Sequence, residues 1–336
     1  TRCKTLGILL FMRVPLPAAM MTTSSFDMRL FSSIGLIINQ ALLQTQRRAR
    51  WVSGVCLLAL TGCSLVVSGY NQLPNLSLFL WVNPHLDLNS AQEKQAKSDL
   101  NTLLEWHRSE QLPLYADWLV TMQRLASRDI TADEVCTLAA SIRESLDPLA
   151  AQFEEPYARL SLTLTTGQLN TLKKKYEEDL KDYRKEWKLD ENDEAQLKVQ
   201  VEKGQANAER FYGRLTPTQK NLLRELAKRS GYDGERTYAE RARLQKENLA
   251  MHTRILQTRP SLDESRQLIR QWLQSSLHTT DPDYAIYLSK RIRHNCEAAA
   301  QLHNTLTQEQ RARAVKVLKD YENDVRTLMR QRPNQG

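Results

Sequence analysis

The chain has 336 residues, 26% of them charged, with only 11 glycines and 11 prolines, a composition that excludes collagen-like, low-complexity and wholly disordered chains. Its formal net charge of +8 is unevenly placed: seven of the 47 basic residues but only one of the 39 acidic ones fall within residues 1–63. Beyond that leader the charges nearly balance, so the high pI does not imply nucleic-acid binding.

Residues 1–27 show no sustained hydrophobic period. Met28, followed by Arg29, is the expected start, and 1–27 is expected to be upstream sequence that contributes nothing to the fold. Arg47, Arg48 and Arg50 then precede an apolar run from Trp51 to Leu60, and Leu60-Thr61-Gly62-Cys63 closes it. Positive charge, a short apolar segment and small residues before a cleavage point make a secretory signal over 28–62. The motif resembles the lipobox of bacterial lipoproteins. That resemblance implies a lipid on Cys63, a mature N-terminus there and, with Ser64 next, the outer membrane facing the periplasm. Cysteine suits the acceptor role because its thiolate is a strong nucleophile. An uncleaved anchor helix is the alternative, since no charge occurs from Trp51 to Leu86. Asn71, Gln72, Pro74 and Asn75 interrupt that run early.

Residues 63–88 form an apolar membrane-proximal segment. It reads either as a short helix packed on the domain or as a segment lying in the membrane interface. From residue 89 to 332 helix follows helix. The predicted segments are Asn89–His107, Pro113 to about Arg128, Thr131–Glu144, Pro148 to about Leu162, Thr165–Trp187, Asp190–Tyr212, Thr216–Arg229, a helix through Tyr238 and Leu256, Leu262–Leu277, Pro282 to about Asn304 and Thr307–Arg330. The clearest amphipath carries Leu169, Leu172, Tyr176, Leu180, Tyr183 and Trp187 at steps of three and four. No alternating β-branched run occurs. The reading is all-α: an array or bundle of about ten helices, divisible into two subdomains near residues 188–215.

Leu-Thr-x-x-Gln occurs three times, at Leu164-Thr165…Gln168, Leu215-Thr216…Gln219 and Leu306-Thr307…Gln310, with looser relatives at Leu88-Asn89…Gln92 and Ile130-Thr131…Glu134. Each is a capping box: the cap side chain accepts from the N3 amide while the N3 side chain reaches back. Leu164 with Leu169, and Ile130 with Val135, have hydrophobic-staple spacing. Intervals of 51 and 91 residues between the three full copies are too uneven for a solenoid. The paired pentapeptides resemble those of the Spy/CpxP periplasmic chaperones, a resemblance that implies client binding. A second resemblance covers more of the chain. Tyr70-Asn71, Trp81, Leu86 to Gln92, Glu105-Trp106-His107-Arg108 and Leu112-Pro113-x-Tyr115 are similar to an uncharacterised family of proteobacterial lipoproteins, known only as a domain of unknown function. It implies a helical envelope lipoprotein and assigns no reaction.

Chemistry-bearing motifs are absent. No phosphate-binding glycine loop, nucleophile elbow or paired metal-ligand histidine spacing occurs, so no catalytic residue, metal or cofactor is expected beyond the covalent lipid on Cys63. Trp106, His107, Tyr115 and Trp118 either pack in the core or, if exposed, make a binding surface. An oxidising compartment would permit a Cys136–Cys296 disulfide, while buried free thiols fit the same helical context. The expected role is a membrane-tethered binding or scaffold protein for an envelope protein or client. The alternative is an enzyme of envelope polymers whose site gathers distant carboxylates around His107 or His294.

Overall fold

The computed structural model describes residues 69–77 and 82–331; Leu60, Thr61, Gly62, Cys63 and Trp81 lie outside the described residues. Within them the chain is all-α, and no strand occurs. Eleven longer helices follow in order: α1 Ser90–Trp106, α2 Leu112–Ala126, α3 Ala132–Glu144, α4 Leu146–Thr163, α5 Thr166–Glu186, α6 Asp193–Tyr212, α7 Pro217–Lys228, α8 Gly234–Thr258, α9 Leu262–Leu277, α10 Pro282–Asn304 and α11 Gln308–Arg330. Two short helices, Leu73–Ser77 and Asn83–Leu86, precede them, and a π-helical segment, His107–Gln111, joins α1 to α2.

Local chemistry sets where the helices begin. Asn89, Thr131, Thr165, Thr216 and Thr307 each cap a helix and close a full box with the residue three places on. Ser261 and Glu264 close a sixth, at the start of α9, with Ser-x-x-Glu in place of Thr-x-x-Gln. Each cap satisfies amide hydrogens that the first helical turn leaves without partners.

The four most extensive helix pairings run across the chain: α2 against α11, α3 against α10, α4 against α9, α5 against α8. Exchanging α1–α5 with α7–α11 in order turns this set into itself. The α2–α11 contact becomes α8–α5, α3–α10 becomes α9–α4, and α1–α4 becomes α7–α10, which also pack together. The fold is therefore two interlocked five-helix arrays, α1–α5 and α7–α11, bridged by α6. The expected division near residues 188–215 falls on α6, the helix that bridges the two arrays. Just before its end, α6 sends Phe211 into the core formed by Leu112 and Leu119 of α2, Ile142 of α3 and Leu318 and Val325 of α11. A second core gathers Ala158 of α4, Met251 and Ile255 of α8 and Ile269 of α9. Of residues 63–88, the described part packs on the domain: Tyr70 and Leu73 join the first core and Leu86 joins Leu164 and Leu169.

Each array is tied within itself by one of two equivalent junctions. At the first, the N-termini of α1 and α5 meet and their N3 glutamines exchange bonds. Gln92 Nε2 donates to Gln168 Oε1 at 3.2 Å and Gln168 Nε2 to Gln92 Oε1 at 2.7 Å. Each amide also donates to a carbonyl two residues before the other cap, Gln92 to Thr163 and Gln168 to Asp87, both at 3.0 Å. At the second, α7 and α11 meet in the same way. Gln219 Nε2 donates to Gln310 Oε1 at 2.8 Å and to the Thr305 carbonyl at 3.0 Å. Gln310 Nε2 donates to Gln219 Oε1 at 3.0 Å and to the Arg214 carbonyl at 3.1 Å. All four glutamines are buried. A left-handed residue aims each carbonyl-bearing loop: Asp87 (φ 49°) at the first junction and Gly213 (φ 74°) at the second. A Cβ at Gly213 would lie 2.9 Å from the Arg313 side chain, which would have to shift, and the positive φ already favours glycine there.

Candidate functional site

The richest polar cluster containing residues singled out in the sequence forms where α1 passes into α2. Pro113 lacks an amide hydrogen and its ring crowds the carbonyl four residues back, so a regular helix cannot run through it unchanged. The chain widens over His107–Gln111, and the Leu112 amide donates to the His107 carbonyl, five residues earlier. Such π turns re-aim side chains and are frequent at functional sites. Here the wide turn buries Arg108 and Gln111.

His107 bridges two tyrosines, with Nδ1 2.9 Å from the Tyr70 hydroxyl and Nε2 3.2 Å from the Tyr115 hydroxyl. Tyr115 in turn stacks on Trp118, with ring centroids 5.3 Å apart and planes 22° apart. Burial lowers the His107 pKa to about 4, and burial raises those of Tyr70 and Tyr115. At neutral pH all three are uncharged. A neutral imidazole has one donor and one acceptor nitrogen, so the two tyrosines satisfy it completely. That arrangement fixes positions; it does not supply a base poised near neutral pH.

Arg108 completes the cluster. Its NH1 donates to the Gln331 carbonyl at 2.9 Å and its NH2 to Asn71 Oδ1 at 2.7 Å, while the guanidinium lies 5.2 Å from the Tyr70 ring centroid. One side chain thus ties together the segment before α1, the π turn and the end of α11. Of the four residues named as a binding surface, His107, Tyr115 and Trp118 come together and Tyr115 is buried. Trp106 stays half-buried outside the hydrogen-bonded cluster, and Leu114, next to Tyr115 in sequence, is exposed.

The remaining sequence candidates fall elsewhere. Cys136 of α3 and Cys296 of α10 are joined by a disulfide, with Cα atoms 5.5 Å apart. His294 hydrogen-bonds the Leu226 carbonyl at 3.0 Å, far in function from the tyrosine partners of His107. Among the described residues the ring partners of His107 and His294 are two tyrosine hydroxyls and a backbone carbonyl. Among the described residues no group of three or more His, Cys, Asp or Glu could hold a metal ion. Leu164, Leu215 and Leu306, which precede the caps, are all buried. Two clusters went unread in the sequence. One is fully internal: Tyr157, Asn248, His252 and Tyr176 are joined by bonds of 2.9 Å across α4, α8 and α5. The other is a set of tyrosines and arginines at α5, α8 and α10. Neither has a sequence signal, since their members lie on helices brought together only by packing.

A family model described as "Family of unknown function (DUF6279)" matches residues 84–284. The chain belongs to this family. The DUF6279 match contains the π turn, the first glutamine junction and Gln219. It ends before Cys296 and Gln310, which close the disulfide and the second junction. Neither the curated proteins nor the solved structures give a match. The Spy/CpxP resemblance finds no support in these comparisons, and helix capping accounts for the pentapeptides on which it rested.

Proposed function

We propose that this DUF6279 protein is a lipid-anchored scaffold or binding protein of the bacterial outer membrane, held on the periplasmic face through acyl chains on Cys63. The observation that carries this reading is the Arg108 clamp. Asn71 and Tyr70 are fixed to the π turn, so the link between the anchor and the folded domain is confined to residues 64–69. Six residues reach about 20 Å at full extension. A domain on so short a link works at the membrane surface rather than deep in the periplasm. The Cys136–Cys296 disulfide fits an oxidising compartment. Among the described residues no helix is long and apolar enough to cross a membrane.

The test is mass spectrometry of the mature N-terminus after expression of the full chain in a Gram-negative host, with and without Cys63→Ala. The expected product begins at Cys63, carries acyl mass and fractionates with outer membranes, and Cys63→Ala abolishes all three properties. A wild-type product that is unlipidated and still begins upstream of Cys63 overturns the proposal.

A further inference from the structure

Two guanidinium groups sit in a tyrosine-lined cluster without a carboxylate partner. Arg291 of α10 is only 7% exposed. It lies 5.2 Å from the Tyr232 ring centroid, and its NH1 donates to the Ser230 carbonyl at 2.6 Å. Its Nε is buried and has no partner among the described residues. Arg241 of α8 lies 4.6 Å from the Tyr183 ring centroid and forms neither a hydrogen bond nor an ion pair among the described residues. The two tyrosines connect the two cations, since their hydroxyls are 2.8 Å apart. That bond uses one of the two hydroxyl hydrogens, and the Tyr183 hydroxyl also meets the Thr237 side chain. Tyr287 closes a third side, accepting the Asp233 amide at 3.0 Å.

The neighbouring carboxylates are already committed. Glu240 is bound to Arg243 at 2.7 Å, Glu235 to Arg184 at 2.7 Å, and Asp233 caps α8 and lies 3.8 Å from Arg236. Burying a charge without an opposite charge is costly, and contact with an aromatic face recovers only part of that cost. Desolvation accordingly lowers the Arg291 pKa. Guanidinium forks and phenol hydroxyls are both donors, and the forks match the planar spacing of phosphate oxygens. Tyr232 and Arg241 are partly exposed, which opens the cluster to solvent.

We propose that Arg241 and Arg291, with the hydroxyls of Tyr183 and Tyr232, form a binding site for an oxyanion of the phosphate class. The site is independent of the lipid anchor and of the π turn. The shared chemistry admits a soluble phosphomonoester or a phospholipid headgroup, and the test separates them.

The experiment is isothermal titration calorimetry on the purified full chain in a neutral detergent. The probes are inorganic phosphate, glycerol 3-phosphate and dihexanoyl phosphatidylglycerol, with chloride at matched ionic strength and dihexanoyl phosphatidylcholine as controls. Saturable one-site binding of at least one phosphate probe is expected, weakened at least tenfold by Arg241→Gln. Binding of the two small anions alone assigns a soluble ligand, and binding of the glycerol lipid alone assigns a headgroup. Since Arg241 makes no bond in the free protein, its variant is expected to keep the wild-type circular dichroism and melting temperature. Should it misfold, Arg291→Lys decides, because it keeps the charge but loses the fork. A tenfold loss with that variant supports the site, and unchanged binding overturns it. Heats no larger than the controls for every probe also overturn it.

Discussion

Two kinds of capping box occur in this fold, and they behave differently. Boxes that end in glutamine, at Gln92, Gln168, Gln219 and Gln310, are buried and joined in pairs. Boxes that end in glutamate, at Thr131…Glu134 and Ser261…Glu264, stand alone near solvent, Glu134 in an ion pair with Arg128 and Glu264 exposed. The local job is the same in all six. The difference is what remains after the cap bond is made. A glutamine has a neutral amide that can still donate twice, so two of them can face each other in a buried space and anchor two loops. A glutamate has only acceptors and a charge, and burying it without a cation costs several kcal/mol. The choice of Gln over Glu at one position therefore separates a helix start that assembles the fold from one that only begins a helix.

This contrast can be broken most severely by swapping one residue type for the other. Gln219→Glu puts a carboxylate against Gln310 Oε1 and the Thr305 carbonyl and removes both donations. A loss of about 4 kcal/mol is expected in urea denaturation. The reverse swap, Glu264→Gln, is expected to change the same measurement by less than about 0.5 kcal/mol, because a glutamine makes the same box. Removing the disulfide bears on what else holds the arrays. It closes a separation of 160 residues between α3 and α10, and Cys136→Ser with Cys296→Ser should cost about 4 kcal/mol. If the glutamine junctions hold the arrays, the double variant stays folded at 25 °C.

Simple truncation is milder. Gln168→Ala removes the donor to the Asp87 carbonyl and one of the two donors to Gln92 Oε1, the Asn89 amide remaining, and should cost about 2–3 kcal/mol. Thr131→Ala, at an exposed box, should cost about 1 kcal/mol. Equal losses at the two sites would remove the distinction. Acid sharpens it further, because the glutamine junctions do not titrate. His107 and His252 are held near pKa 4, and burial lowers His294 and His303 as well. The unfolded chain therefore binds more protons, and stability falls as pH drops below about 6.5, with the share due to His107 and His252 fully lost near pH 4. For the fully buried His252 the slope is about 1.4 kcal/mol per pH unit within that window. Replacing it with Gln should flatten denaturation midpoints measured between pH 7 and 4.5, and an unchanged slope would remove His252 as a source.

Sequence alone was enough for the helices, because they depend on near neighbours. The 3.6-residue spacing of Leu169, Leu172, Tyr176 and Tyr183 and the caps at Asn89, Thr131, Thr165, Thr216 and Thr307 are local signals, and the helices begin where those signals lie. The π turn before Pro113 and the Ser261 box were local too, and were legible in principle from the proline and from Ser-x-x-Glu. What local signals could not contain is the partner of each glutamine. Gln92 and Gln168 are 76 residues apart and Gln219 and Gln310 are 91 apart, and unequal spacing hid the two-fold relation between the arrays. The arginine–tyrosine cluster is of the same kind, since Arg241 reaches Tyr183 and Arg291 reaches Tyr232 only when α5, α8 and α10 are folded together. Backbone hydrogen bonding and side-chain spacing fix a helix within a few turns of chain. Which buried donor meets which buried acceptor, and which cation is left without a counter-charge, is decided only when distant helices exclude water together.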